Sequence, residues 1–173
     1  MPKGIVTINT DAGFYPNEKI GSYAFWIKGD DLFLKGSGIF KELCKNSLDA
    51  EMKAIINALH VLKASGYKAE KIVVNRDNIN AKSGKQSELQ TKMSKIIRQI
   101  KIASISQSHP NYTGEYVSFR HVKAHKHTNN KRHWVNDWCD NRCKVELRNY
   151  KLKMKKERGV ETPLDWCLLS TLL

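Results

Sequence analysis

Apolar residues recur along this chain at two spacings, and the spacing changes several times. Short β-branched or alternating runs predict strands over Gly4 to Thr10, Ser22 to Ile27 and Asp31 to Phe40, with Lys28-Gly29-Asp30 as a hairpin turn between the last two. Leu48, Met52, Ile55, Ile56, Leu59 and Leu62 then fall on one helical stripe, predicting a helix from Leu48 to about Ser65. Asn46 or Ser47 can cap its start, and Gly66 can end it. Ile72-Val73-Val74 predicts a short strand over Lys71 to Asn75. A second helix follows from Leu89 to Ile105, apolar at Met93, Ile96, Ile97 and Ile100 and basic at Lys92, Lys95, Arg98 and Lys101. Tyr116 to Val122 reads as a fifth strand, and Trp134 to about Lys156 as a long basic helix. The order βββαβαβα puts a crossover helix between the first and fourth strands, so those two should run parallel in an α/β sheet.

That order gives meaning to the carboxylates. Sites in such sheets lie beyond the carboxyl ends of the parallel strands. The first strand is expected to finish at Asp11, before Ala12 and Gly13, and the fourth in Asn75-Arg76-Asp77. A lone aspartate there is commonly a turn former. Two at matching ends would repel each other unless a cation lay between them. Glu51, at about 100° per residue, falls at the edge of the first helix's apolar stripe. There it is either a costly acid awaiting a partner or a first-turn residue favoured by the helix dipole. In the last helix, "VNDWCDNRC" offers Asp137 and Asp140, and periodicity does not choose between them. Asp140 stacks one turn after Asn136, so those two could serve one site.

Composition narrows the partner. The chain's 173 residues suit one domain with a full core. Lys and Arg number 30 against 17 acids, a formal net charge of +13, which favours a polyanion and specifically nucleic acid. Cys44, Cys139, Cys143 and Cys167 form no secreted framework, and neither a signal peptide nor a bilayer-length apolar run is present. A cytoplasmic monomer with free thiols and no membrane association is the expectation.

Five segments in order, "TDAG", "LDAEMKAIINAL", "VVNRDN", "VKAH" and "VNDWCDNRC", resemble the type 1 ribonuclease H family over Lys3 to Arg148. The resemblance implies a ribonuclease H-like α/β domain over residues 1–158, a five-stranded mixed sheet with helices on both faces. It implies that Asp11, Glu51, Asp77 and Asp140 are the metal-binding carboxylates, the family's Asn-x-x-x-Asp pattern selecting Asn136 and Asp140. Asn17 would meet the RNA 2′-hydroxyl with Asn136 also on the substrate side, and His125 would assist proton transfer or product departure. The implied cofactor is two Mg2+ ions, or Mn2+ in their place, hard cations that suit carboxylate oxygen. The implied reaction is two-metal hydrolysis of the RNA strand of an RNA–DNA hybrid, leaving 5′-phosphate and 3′-hydroxyl ends. The alternatives are a non-catalytic hybrid-binding module and a resolvase- or integrase-like nuclease on the same fold.

Three expectations sit beside this one. Hybrid affinity should rest on the Leu89 to Ile105 helix and on "RNYKLKMKKER", since no aromatic-rich basic protrusion is evident between Asp77 and Tyr116. His121, His125, His127, His133, Cys139 and Cys143 could instead supply imidazole and thiolate to zinc, although their spacing matches no standard zinc pattern. Residues 159–173 fall outside the resemblance; Pro163 breaks any continuing helix, and the apolar tail is expected to dock on the domain's own surface.

Overall fold

The computed structural model describes residues 4–76, 88–105, 115–121 and 131–158. Asp77, His125, His127, Cys167 and the 159–173 tail lie outside the described residues. Five strands, β1 (Ile5–Tyr15), β2 (Ile20–Lys28), β3 (Phe33–Ile39), β4 (Lys71–Arg76) and β5 (Val117–His121), form one mixed sheet in the order β3-β2-β1-β4-β5. The first three are joined antiparallel, whereas β1, β4 and β5 run parallel, as the crossover demands. Helices α1 (Ser47–Ala64) and α2 (Glu88–Ile105) cover one face, and α3 (Lys131–Glu157) crosses β1, β2 and β3 on the other.

The pleat sorts the residues. Val6 and Ile8 of β1, Phe25 and Ile27 of β2 and Ile72 and Val74 of β4 point to α1, where Ile55, Ala58, Leu59 and Leu62 meet them. Burying an Ile or Leu side chain is worth about 1.5–3 kcal/mol. The cap at Asn46, whose side chain accepts the Asp49 N–H at 2.9 Å, contributes about 1 kcal/mol. Packing therefore outweighs local propensity in fixing this helix. Gly66 closes it with a φ of +69°, a conformation that favours glycine. On the opposite face, Ala24 packs with Cys139 and Cys143 of α3 beside Trp26 and Trp138.

One strand departs from the sequence reading. β1 does not stop at Thr10 but runs on through Asp11 and Gly13 to Tyr15, paired with β2 from Thr7↔Lys28 to Tyr15↔Ile20. Gly13 is not a turn residue. A side-chain carbon there would lie 2.6 Å from both Leu147 Cδ1 and Ser22 Oγ, so its bareness lets α3 approach the strand. Gly21 plays the same part on the other face, where a Cβ would lie 2.5 Å from Cys44 Sγ and 3.4 Å from the Ala50 Cβ. The start of α1 is thereby seated on β2.

Candidate active site

The longer β1 changes where Asp11 stands. Pairing of β1 with β4 ends at Asn9↔Asn75, so Asp11 is the second residue beyond that parallel ladder while still held by β2 opposite Ala24. It thus occupies the carboxyl end of the ladder, not of the strand. The Ala12 N–H donates to Asp11 Oδ1 at 2.8 Å. Asp11 shares the α3 face with Ala24, and the Cys143 thiol donates to its backbone oxygen at 3.2 Å. Ser22 Oγ donates to the Cys143 carbonyl at 2.9 Å, a second tie between the hairpin and this turn of α3.

Those ties bring in Asp140, half-buried between the two buried cysteines, whereas Asp137 is exposed. Lys144 Nζ lies 2.6 Å from Asp140 Oδ2. Its ammonium is held above the ordinary lysine range, first by that hydrogen bond and charge, and further by Asp11 and Asp137. A cation from the chain itself thus sits in the joint field of these carboxylates. Asn136, one turn earlier, is buried with 8% of its surface exposed.

Glu51 is half-buried on α1, across the sheet from α3. The helix-dipole role belongs to a neighbour. Asp49 sits in the first turn, 3.2 Å from Lys53 Nζ and accepting the Lys45 N–H at 3.0 Å. Asn17 is exposed in the turn between β1 and β2, where the Lys19 N–H donates to the Pro16 carbonyl at 3.3 Å. The structure places Asp11 and Asp140 on the α3 face, where both act on the Lys144 ammonium, and Glu51 near the start of α1, the helix on the other face. Among the described residues no three His, Cys, Asp or Glu side chains converge to hold a metal ion. Asp77, the fourth expected ligand, follows Arg76 outside the described residues.

As a donor set these residues fit a hard divalent cation: they are carboxylates, and an ammonium already satisfies the charge that such a cation would. Zinc is ill served by the two cysteines. Burial pushes the Cys139 thiol up to about 12, with the nearby Asp11 charge adding to the effect, and drives Cys143 higher still for the same reasons. Zinc binds thiolate, and both groups are protonated donors packed against β1. Arg76 is also accounted for, because its guanidinium lies over the Phe119 ring at 5.0 Å.

Two features escaped the periodicity. Lys144 was legible as an i,i+4 partner of Asp140. The buried pair Asn9 and Asn75, with Asn75 Nδ2 donating to Asn9 Oδ1 at 2.8 Å, was marked by a repeated spacing. Each asparagine precedes an aspartate by two positions in the sequence, in "NTD" and "NRD".

Neither a protein-family model nor a curated protein matches the chain. Solved structures do. RNase H1 from the halophilic archaeon Halobacterium salinarum NRC-1 is similar, with a TM-score of 0.56 at 16% identity over 84% of this chain and 98% of that one. LC11-RNase H1, solved in complex with an RNA/DNA hybrid, gives 0.53 at 19% identity over 79% and 92%. The N-terminal RNase H domain of rv2228c from Mycobacterium tuberculosis gives 0.55 at 12% over 84% and 98%. The chain has a ribonuclease H-like fold, with the expected five-stranded mixed sheet and helices on both faces.

Proposed function

We propose that this protein is a metal-dependent endoribonuclease that hydrolyses the RNA strand of RNA–DNA hybrids, leaving 5′-phosphate and 3′-hydroxyl ends. The observation that carries the reading is that Asp11, just past the end of the β1–β4 ladder, lies on the face packed by α3, where Asp140 is half-buried and paired with Lys144. It is supported by the ribonuclease H-like fold and by the LC11-RNase H1 relative, which was solved with a hybrid. Asp11, Glu51, Asp77 and Asp140 would hold two Mg2+ or Mn2+ ions, which when bound supply an activated water and charge stabilisation at the leaving 3′-oxygen. Asn17, exposed on its turn, would meet the RNA strand. His125 would carry a proton to or from the reacting phosphate. The backbone of the hybrid would lie on basic side chains, which fix position without reading sequence.

The test is incubation of a hybrid, labelled on each strand in turn, with the full chain in the presence and absence of Mg2+. Cutting of the RNA strand alone, lost on chelation, is the expected result. Cutting of duplex DNA at equal rate would instead favour a resolvase- or integrase-like nuclease. Binding without cutting in the presence of Mg2+ or of Mn2+, each tried in turn, would leave a hybrid-binding module.

A further inference from the structure

A groove of about 510 Å3 opens on the α3 face between the start of α3 and strands β1, β2 and β4. Asn9 and Asn75 form part of its floor, Trp26 and Trp134 its walls, and Lys28 and Asp30 lie toward the hairpin. None of these side chains belongs to the carboxylate site.

The floor carries an unmet demand. Asn75 is 2% exposed and Asn9 6%, and their amides pair with each other. That leaves Asn75 Oδ1 buried without a partner among the described residues. An unsatisfied buried polar atom costs about 1–3 kcal/mol, and such atoms call for an explanation. Exchanging oxygen and nitrogen in both amides preserves the pair and leaves a donor in the same place. A ligand edge that carries donor and acceptor side by side answers both arrangements.

The walls specify the rest of the ligand. Trp26 and Trp134 stand edge to face, centroids 5.3 Å apart and planes at 89°. Trp134 keeps 59% of its surface exposed, so a flat ring can stack upon it. Lys28 offers a cation to a phosphate, and Asp30 an acceptor to sugar hydroxyls.

The geometry points to a nucleobase-binding pocket, in which a base stacks on Trp134 and presents its hydrogen-bonding edge to the Asn9–Asn75 pair. Asparagine matches a base edge with paired donor and acceptor, as it does when it reads adenine in a groove. The base can come from a free nucleotide or from an unpaired nucleotide of a bound strand. The second source is within reach, because Asn9 lies two residues, about 7 Å, before Asp11 on the same face of β1. The assignment stands whether or not the carboxylate site cuts RNA.

The experiment titrates the full chain, by calorimetry and by nuclear magnetic resonance of the Asn side-chain amides, with adenosine and uridine 5′-monophosphates, ribose 5-phosphate and a five-nucleotide single strand. A nucleotide or the single strand should bind and move the Asn9 and Asn75 amide signals, with ribose 5-phosphate far weaker. Trp134→Ala, a change at an exposed position, should weaken that binding by roughly 5- to 150-fold, the worth of one base stack. Free-nucleotide binding identifies that source, and binding of the oligonucleotide alone identifies the strand. Ribose 5-phosphate binding as well as the nucleotides, or Trp134→Ala changing nothing, would overturn the assignment, as would silence from every probe. Cleavage of a blunt hybrid should be the same in wild type and Trp134→Ala. Loss of cleavage from both, with base binding intact, would sink the nuclease reading and not this one.

Discussion

Asp140 already has a cation, and that has a measurable consequence. The Lys144 ammonium at 2.6 Å must yield if a divalent ion is to take the same carboxylate. Lys144 is largely exposed, and exposed pairs of this kind are worth about 0–1 kcal/mol. Lys144→Ala should therefore tighten Mg2+ or Mn2+ binding to the free protein by up to about fivefold in calorimetry. Affinity that falls or stays level would remove Lys144 as the competitor. Asp11→Asn should abolish hybrid cleavage while leaving hybrid binding within a few-fold, because a neutral amide holds Mg2+ poorly. Near wild-type turnover in that variant would mean that Asp11 is no ligand. Asp11 stood out in the sequence because, with Asp77, it falls at matching ends of two strands expected to run parallel, although the strand that carries it runs on to Tyr15. The choice between Asp137 and Asp140 was not. α3 has polar residues around most of its circumference, so no apolar stripe orients it. Only the seating of Cys139 and Cys143 against β1 turns Asp140 inward and Asp137 out.

The contact between α3 and β1 is the element on which the site depends. It exists because Gly13 lacks a side chain and because two thiols can be buried as neutral donors. Gly13→Ala should cost about 1–3 kcal/mol in denaturant unfolding, since Leu147 and the Ser22 hydroxyl must both give way. Unchanged stability would show that α3 is not seated there. The thiols predict a pH dependence of definite sign. Their folded pKa values lie above the ordinary thiol value of 9.0, so the folded chain keeps protons that the unfolded chain releases. The stabilisation is complete below pH 9 and is lost as pH rises from there toward about 12. Each thiol should contribute a fall of about 1 kcal/mol per pH unit in that window. Lysines titrate there too, so the quantity to measure is the difference in unfolding free energy between wild type and Cys139→Ala/Cys143→Ala. A difference that does not vary from about pH 8.5 to 10.5 would place the thiols in water. This geometry also explains which elements were readable. Strands β2 to β5 and helices α1 and α2 follow from their apolar spacing, and α3 from its long basic run, with ends displaced by at most three residues. β1 was cut shortest, by five residues at its end, because a bare glycine that admits a helix looks in sequence like a glycine that makes a turn.

Charge acts on the whole molecule, and the fold divides it. The basic residues of α2, with Lys92, Lys95 and Arg98 exposed, lie in the layer with α1. Those of α3 lie across the sheet, and one stripe of them starts at the site. Lys144, Arg148, Lys151 and Lys155 line a common groove with Leu147 and Leu152, continuing the row that begins at Asp140. At 1.5 Å per residue this row extends about 22 Å from Asp140. Lys151 Nζ sits 3.7 Å from the centre of the Tyr15 ring, and Arg158 reaches Glu18 at 3.5 Å, so the row leans over the turn that presents Asn17. A strand whose scissile phosphate lies at Asp11 and Asp140 can follow this row without leaving the face, whereas reaching α2 requires crossing the sheet. The two basic helices expected to share the hybrid should therefore contribute unequally. Arg148→Gln/Lys155→Gln, which spares the Lys151–Tyr15 pair, should weaken hybrid binding and reduce the slope of log K against log salt by about two, one unit for each phosphate no longer neutralised. Lys92→Gln/Lys95→Gln should change that slope by less than about one. Fluorescence anisotropy from about 50 to 300 mM salt measures both slopes. An equal effect from the α2 pair would mean that the hybrid lies over the opposite face, and that the row starting at Asp140 is only a solvated helix surface.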